Sequence, residues 1–408
     1  MKRAILGKML IDGRGEKPFS NPVVFIEQEM ITHINRLDQI NIAADTEVID
    51  VRPGTIMPGL IDAHVHLALA EHGDPCWKVV QGQETMLAFW FARAVRAAIK
   101  AGITTLRDCG SCELIFAVRR ALQGGLIVGP RLLASGPAIT TTAGHADYDP
   151  MRIVVRADSE VELRKRVRQL VAKGADFIKV MATGGAGDPQ TNRYRSQYSA
   201  EELKGLVEDA IRLRKRVTAH VNAAEGIRNC VAAGVHILSH CDWLGPEAGT
   251  LDYDECIVQA MANKGIYVDF DCGGLKPYSA EDVCGQTWEG WPLVPGRRWD
   301  MIERMKSLGV PVFLSTDAVG QGVTAIVKAA ARMVNETTLK PVDVIKMVTS
   351  IPAMALGLGN STGTIEPGKM ADIIVVDGNP LEDIASLERV TDVFLEGEPI
   401  VRGSYFIR

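Results

Sequence analysis

The sequence lacks the features that mark nucleic-acid-binding, membrane-spanning and secreted proteins. Its formal net charge is only -5, so no basic excess indicates a nucleic-acid partner. No apolar run approaches the roughly 20 residues of a membrane helix. The amino terminus has neither a long apolar core nor a small-residue cleavage site. We therefore expect a cytoplasmic protein without nucleic-acid or membrane partners.

Cysteine is present, but its spacing does not indicate a structural role. Of the eight cysteines, only Cys109 and Cys112 form a CxxC pair, and no second pair matches it. A structural zinc site built from cysteines is therefore not expected. We interpret the cysteines as the reduced thiols of a cytosolic enzyme.

The organisation of the chain indicates an α/β core between two β-rich ends. Residues 58–359 alternate strand-like and helix-like segments in eight β/α units, and a third strand is predicted over residues 131–139. Such alternation fits a (β/α)8 TIM barrel better than a doubly wound sheet. Residues 1–57 and 360–408 contain short β-like runs between glycine and proline turns. We predict that these two ends pair into one small β-sandwich domain.

The first predicted barrel strand ends in a pair of histidines, His64 and His66. Catalytic groups of such barrels lie at the carboxyl ends of the strands. Residues i and i+2 of a strand point to the same face, so both imidazoles can reach one metal ion. Alone the pair is weak evidence, because such histidines are often structural.

Three further candidate ligands end later strands. His220 ends the fifth predicted strand, His240 the sixth and Asp317 the eighth. Each of them singly could be a structural residue. With the first pair, however, they form a set of four imidazoles and one carboxylate, which suits zinc and similar transition metals. The barrel would bring together residues that are far apart in the sequence, so we predict a metal site.

Lys179 stands out because it lies in the apolar run of the fourth predicted strand, "FIKVMATGG". A buried ammonium is costly unless it is paired or neutralised, and it cannot ligate a metal because it has no lone pair. An uncharged amine can add carbon dioxide and become a carbamate, an anion able to bridge two cations. The alternative is a lysine that extends to solvent or pairs with an acid.

This constellation resembles the amidohydrolase superfamily. The resemblance covers nearly the whole chain, from "PGLIDAHVHL" through "KVMATGG", "TAHV", "SHC" and "STDA" to "GTIEPGKMADIIVVD". It implies two divalent metal ions, with Zn²⁺ expected. One ion would be held by His64, His66 and Asp317, the other by His220 and His240. An N6-carboxylysine at Lys179 and a hydroxide would bridge the two ions.

The runs "TTTAGHAD" and "SQYSAEEL" are similar to the imidazolonepropionase-like group, which includes Xaa-Pro and Xaa-Arg dipeptidases. In that group the histidine of the GH pair, here His145, contacts the substrate carbonyl. The resemblance also implies that Asp317 takes a proton from the nucleophile and passes it to the leaving amine. The alternative for His145 is a loop histidine bonded to the backbone.

Substrate-binding residues are expected in the loop after the fourth strand, where Arg193 and Arg195 could clamp a carboxylate beside Tyr194. A solvated loop arginine is the common alternative. After His240 the chain departs from the Gly-Thr of the dipeptidases, so Asp242 and Trp243 are expected to shape a different pocket.

The sequence therefore predicts a hydrolase of carbon–nitrogen bonds, acting on a small-molecule amide or peptide and forming a homo-oligomer. The substrate would be an Xaa-Pro or Xaa-Arg/Lys dipeptide or an N-acyl amino acid. One alternative is a mononuclear deaminase or cyclic-amide hydrolase, against which Lys179 argues. A second is a non-catalytic paralogue, which would be expected to have lost ligands.

Overall fold

A computed structural model describes residues 1–15, 17–69, 83–147, 152–185, 190–271, 295–403 and 405–407. Its central part has α/β content, as predicted, and its ends consist mainly of strands. Among the described residues, no helix combines the length and the hydrophobicity that a membrane crossing requires.

The strands of the two chain ends form two sheets. The amino-terminal strands are β1 Lys2–Leu6, β2 Met9–Leu10, β3 Phe19–Ser20, β4 Pro22–Glu27, β5 Met30–Arg36, β6 Glu47–Asp50 and β7 Thr55–Pro58. The carboxyl-terminal strands are β19 Ile373–Val376, β20 Val390–Leu395, β21 Glu398–Arg402 and β22 Tyr405–Phe406. One sheet has the order β5-β4-β1-β6 and the other β22-β21-β20-β19-β7-β2-β3.

Both ends of the chain contribute to the larger of these sheets. Strand β19 pairs antiparallel with β7, with Ile373 opposite Pro58 and Val376 opposite Thr55. The two sheets also share one buried core, in which Ile5 lies with Phe394. The pairing of the two ends that the sequence predicts is therefore present.

The strands between the ends run parallel within two ladders. They are β8 Leu60–His66, β9 Ile103–Asp108, β10 Arg131–Ala134, β11 Ala138–Thr140, β12 Val154–Arg156, β13 Ile178–Met181, β14 Val217–Ala223, β15 Ile237–Leu244, β16 Tyr267–Asp271, β17 Val312–Ser315 and β18 Ala318–Val319. One ladder has the order β10-β9-β8-β18, and the other β12-β11-β13-β14-β15-β16-β17. Among the described residues no strand pairing joins the two ladders, so the closed barrel stays a prediction.

Helices connect most of these strands, as the alternating pattern predicts. They are α1 Glu84–Lys100, α2 Leu114–Gln123, α3 Glu160–Lys173, α4 Ala200–Arg212, α5 Ala224–Ala233, α6 Glu255–Lys264, α7 Pro295–Ser307, α8 Ile326–Glu336, α9 Pro341–Met347 and α10 Ser350–Ala355. Local sequence sets their ends. At the start of α4, for example, Ser199 and Glu202 form a reciprocal capping box.

The third predicted strand differs from the structure in one respect. The run 131–139 is divided between β10 and β11, which belong to different ladders. Gly136 between them has a φ of +67°, and Pro137 has no N–H to donate to a ladder. These two residues interrupt the strand that the sequence predicts as one run over residues 131–139.

Candidate metal centre

The structure brings the six predicted ligands together at the carboxyl ends of the central parallel strands. The strands β8, β13, β14, β15 and β17 end side by side in their ladders or in contact across them. Because parallel strands expose their carboxyl ends on one face, residues far apart in the sequence meet there: His64, His66, Lys179, His220, His240 and Asp317.

Asp317 lies at the centre of this group. Its Oδ1 is 3.2 Å from Nε2 of His64 and 3.2 Å from Nε2 of His66. One ligand atom each from His64, His240 and Asp317 lie within 4.8 Å of one another. That spacing is compact enough for one cation to contact several of these side chains.

The imidazoles form a continuous row that includes His145. The ring centroids of His64 and His240 are 5.5 Å apart, those of His240 and His220 are 4.5 Å apart, and those of His220 and His145 are 4.4 Å apart. His145 thus lies beside the predicted ligands, and its contact with a substrate carbonyl stays a prediction.

In three of these histidines, an oxygen atom of another residue lies close to Nδ1. Nδ1 of His66 is 3.0 Å from the carbonyl oxygen of Gly110. Nδ1 of His64 is 2.9 Å from Asp269 Oδ2, and Nδ1 of His240 is 2.6 Å from Asp271 Oδ2. Such outer contacts hold the ring and its tautomer, leaving Nε2 as the ligand atom. The donor set thus fits a divalent transition metal.

Lys179 is buried within the centre, with 1% of its surface exposed. Its Nζ is 3.2 Å from His64 Nε2 and 3.5 Å from Ser239 Oγ. In the part of the chain that the structure describes, no ion pair involves this lysine. The geometry therefore favours neither of the alternatives raised by the sequence, extension to solvent or pairing with an acid.

Burial and neighbouring charge keep several of the histidines neutral. Burial, followed by the charge of Lys179, lowers the pKa of His64 to about 4. Burial and then His240 lower the pKa of His145 to about 3. Burial and then His145 lower the pKa of His220 well below its ordinary value. A neutral imidazole keeps the lone pair that a metal needs.

The surroundings of two carboxylates of the centre keep these side chains charged. Burial acts to raise the pKa of Asp317, but the histidines around it, His64 foremost, hold that pKa well below its usual range. Burial likewise opposes ionisation of Asp271, and Arg298 followed by His240 outweighs it, lowering the pKa of Asp271. Both side chains are therefore anions near neutral pH.

The backbone around the centre adopts conformations that ordinary residues avoid. His240 has a φ of +68° and Asp317 a φ of +51°. Each such residue costs roughly 1–3 kcal/mol and persists only where the surroundings enforce it. Gly185 has a related role, because a Cβ there would lie 2.1 Å from Cε1 of His145. Gly185, which follows the fourth predicted strand, thus allows the His145 imidazole to lie against the backbone.

Two acids of β16 belong to this site, although the sequence reasoning did not single them out. Asp269 is fully buried; its Oδ2 accepts a hydrogen bond from Ser239 Oγ at 2.8 Å and lies 3.3 Å from Arg107 Nη2. Asp271 contacts both His240 and Arg298. The signal was present in the alternation "VDFD", because residues i and i+2 of a buried strand share a face.

The three predicted substrate residues have different surroundings. Arg193 and Tyr194 are half-buried, whereas Arg195 is exposed, with its Nη1 4.0 Å from Glu225 Oε2. Burial lowers the pKa of Arg193, and the charges of Tyr194 and Asp242 oppose that shift. Arg193 is thus the arginine that lies nearer to the end of β15.

The two residues after His240 that were expected to shape a pocket, Asp242 and Trp243, are both buried. Trp243 is fully buried and its ring lies 5.1 Å from that of Tyr253, so it packs in the core. Asp242 accepts hydrogen bonds from Asn222 Nδ2 at 2.7 Å and from Arg298 Nε at 3.0 Å.

Comparison with known proteins shows relatives that align with most of this chain. The profile of the amidohydrolase family matches residues 55–400. Ochratoxinase from Aspergillus niger is 30% identical over 97% of this chain and 85% of its own length. Its crystal structure has a TM-score of 0.85, with 26% identity over 98% of this chain and 96% of that one.

Two further relatives belong to the group named by the sequence resemblance. A crystal structure of a Xaa-Pro dipeptidase with bound methionine in the active site has a TM-score of 0.83, with 27% identity over 98% of this chain and 99% of that one. Imidazolonepropionase from Solibacter usitatus is 24% identical over 89% of this chain and 86% of its own length.

Proposed function

Because the chain belongs to the amidohydrolase family and is a hydrolase of carbon–nitrogen bonds, we propose that it cleaves the amide bond of a dipeptide or an N-acyl amino acid. The dipeptide would be of the Xaa-Pro or Xaa-Arg/Lys type. The observation that carries the proposal is the single cluster of four imidazoles, Asp317 and the buried Lys179. Similarity to ochratoxinase and to a Xaa-Pro dipeptidase supports an amide substrate.

The centre would hold two divalent ions, with Zn²⁺ expected from the imidazole-rich donor set. Support comes from His64 and His66 beside Asp317 at one end of the cluster and from His220 beside His240 at the other. When bound, the ions would supply an acidified water as the nucleophile.

Lys179 would join these two ends as a carbamate. Its uncharged amine would add carbon dioxide, forming one N–C bond and releasing one proton. The support is its burial beside His64 without an acidic partner within ion-pair distance among the described residues. A free ammonium in that position would repel a cation, whereas a carbamate offers two anionic oxygens.

Asp317 and His145 would carry the proton and charge transfers. The Asp317 carboxylate is ionised near neutral pH, so it can accept the proton of the attacking water and pass it to the leaving nitrogen. The imidazole of His145 stays neutral because its pKa is about 3. It can therefore donate an N–H to the substrate oxygen as negative charge develops there.

A substrate carboxylate would lie near Arg193 and Tyr194. Arg193 is half-buried, and the charge of Asp242, which follows His240 by two residues, opposes the lowering of the Arg193 pKa by burial. A guanidinium in that position can form a paired contact with a carboxylate. Arg195 is a weaker candidate because it is exposed and faces Glu225.

The complete architecture proposed for this enzyme is a (β/α)8 barrel of residues 58–359. Residues 1–57 and 360–408 would form the β-sandwich domain beside it. The parallel ladders and the shared core of the two end sheets support this division, as does the similarity in fold to ochratoxinase over 98% of the chain.

Two measurements test the function. Metal analysis of the purified enzyme should give two equivalents of divalent metal per chain, whereas one equivalent would favour the mononuclear deaminase or cyclic-amide hydrolase. The metal-loaded enzyme should then hydrolyse members of a library of dipeptides and N-acyl amino acids. Failure to cleave any member, together with deamination or ring opening of a cyclic amide, would contradict the proposal.

A further inference from the structure

A second pocket lies at the opposite end of the central strands from the metal centre. It encloses about 320 Å³. Most of its lining residues precede or begin the strands β13, β14 and β15, or end or follow α10; among them are Asp176, Phe177, Arg214, Arg216, Ile237 and Leu356. Arg107 of β9 and Leu133 of β10 complete the lining. The candidate ligands lie further toward the carboxyl ends of the central strands, and Arg107 connects the pocket to them through Asp269.

The charges that line this pocket do not cancel. Arg107 lies 3.3 Å from Asp269, and Asp176 is paired with Arg119, so each of these charges has a partner. Arg214 and Arg216 also line the pocket, and within the described ranges neither takes part in an ion pair. The uncompensated charge of the lining is therefore positive and comes from two guanidinium groups.

Arg216 is held in place by one side of its guanidinium. Its Nη1 donates to the carbonyl oxygen of Ala355 at 2.7 Å and lies 3.3 Å from that of Met354. The hydrogen bonds of the described residues do not use its Nε or Nη2. Beside this free edge is Gly357, where an added Cβ would still be 3.6 Å from Nε. The edge is thus fixed in position, and because Arg216 is only half-buried and lines the pocket, an acceptor can approach it.

The rest of the lining is apolar. Phe177 and Ile237 are buried within the protein and border the pocket with Leu133 and Leu356. The guanidinium of Arg107 lies over the Phe177 ring, 4.9 Å from its centroid. A small pocket with an apolar wall and a few placed polar groups is the usual form of a small-molecule site.

We propose that this pocket binds a small organic carboxylate with an apolar body. The carboxylate would contact the free edge of Arg216 and the side chain of Arg214, because guanidinium groups match the two oxygens of a carboxylate. The apolar body would cover the half-buried side chains of Leu133 and Leu356. Inorganic phosphate would satisfy only the arginines and should bind more weakly.

Calorimetric titration of the metal-loaded, full-length enzyme with 3-phenylpropionate tests this assignment. One equivalent should bind, and the uncharged 3-phenylpropionamide should bind at least tenfold more weakly. Arg214→Glu should weaken binding of the carboxylate at least tenfold. Arg120→Glu reverses the charge of an exposed arginine in the last turn of α2 that does not line the pocket, and should leave the affinity unchanged.

Further variants separate this pocket from the catalytic region and from an effect on folding. Arg214 has a φ of +57°, a conformation that asparagine tolerates, so Arg214→Asn should fold and still lose affinity. Arg193→Ala should leave the affinity unchanged. Absence of saturable binding would overturn the proposal. Loss of binding in Arg193→Ala without a loss in Arg214→Glu would also overturn it. The same holds if phosphate binds as tightly as 3-phenylpropionate.

Discussion

Three imidazoles of the candidate metal centre are oriented by protein groups, whether or not a metal is bound. The carbonyl of Gly110 lies against His66, and carboxylates lie against His64 and His240. The ligand nitrogens therefore converge with a fixed tautomer, and little ordering remains to be done when a cation binds. At the scale of single residues, the ability of each imidazole to bind a metal depends on which of its two ring nitrogens carries the proton.

Asp317 should be required for turnover but not for folding. Replacement of Asp317 by Asn removes the anion that would accept a proton, so kcat should fall by at least 10³-fold, the upper part of the range for general acid–base catalysis. Thermal unfolding and kcat measured on the metal-loaded variant test this. Asp300→Asn, an exposed substitution in α7, is the control. Turnover of Asp317→Asn near that of wild type would rule out the role.

Lys179 should be required for metal retention. Lys179→Ala removes the amine that would become a carbamate, so the variant should purify with less metal and little activity. A short carboxylic acid such as propionate should restore part of both, because it can occupy the space and supply two oxygens. The control is Lys165→Ala, which replaces an exposed lysine of α3. An unaltered metal content in Lys179→Ala would contradict the carbamate.

The metal-free protein should lose stability in acid partly through His64. Its pKa falls from 6.5 to about 4 on folding, because of burial and then Lys179. Between these values only the unfolded chain is protonated, so stability decreases as pH falls from 6.5 towards 4. At pH 5 this contribution is about 2 kcal/mol relative to pH 7.

Urea unfolding of chelator-treated protein at pH 7 and pH 5 measures this contribution. The loss of unfolding free energy between the two pH values should be smaller in His64→Gln than in wild type. His33→Gln replaces an exposed histidine in β5 and should show the wild-type loss. An equal loss in wild type and in His64→Gln would show that this histidine does not titrate as described.

At the scale of elements, β16 contributes more than its apolar pattern suggests. It supplies Asp269 beneath His64 and Asp271 beside His240. The histidine pair of β8 was recognised from its i, i+2 spacing, and the acids of β16 have the same spacing. They were missed because each acid acts here through a histidine of another strand, and Asp269 and His64 lie on strands that are not paired with each other. Which side chains meet between such strands is not visible in one sequence.

Asp271 should act on the metal through His240. Asp271→Asn keeps the shape but removes the charge that lies 2.6 Å from the imidazole, so metal affinity should fall by about 10–100-fold, as for other outer contacts of ligand histidines. Competition with a chelator measures this affinity. Asp242→Asn is a matched control, since Asp242 also binds Arg298. An equal loss in both variants would assign the effect to Arg298.

At the scale of the whole molecule, the sequence predicted that strands of the two chain ends pair, as β7 and β19 do, and that the candidate ligand residues share one face. Both follow from periodicity and from the geometry of parallel strands. The break between β10 and β11 was not predicted, because apolar residues lie on both sides of Gly136 and Pro137 and favour a strand before and after them. The partners of Arg131 were not predicted either, since they belong to the carboxyl-terminal segment.

Arg131 connects the central strands to the end sheets. Its Nη1 is 2.7 Å from Asp372 Oδ2, and its Nη2 is 2.7 Å from Glu396 Oε1. Thr362 Oγ1 and the backbone N–H of Glu396 also donate to Asp372, whose side chain has no exposed surface. This contact therefore fixes the carboxyl-terminal segment against β10.

Replacement of Arg131 by Ala should thus destabilise the protein without changing its chemistry. It leaves the buried Asp372 carboxylate without its cation, which costs about 3 kcal/mol or more. Urea unfolding measures this cost, and kcat of the folded fraction should equal that of wild type. Arg402→Ala is the control, because Arg402 is 40% exposed where it pairs with Asp392. Such surface pairs contribute about 0–1 kcal/mol, so equal losses in both variants would show that the Arg131 contact does not hold the two parts together.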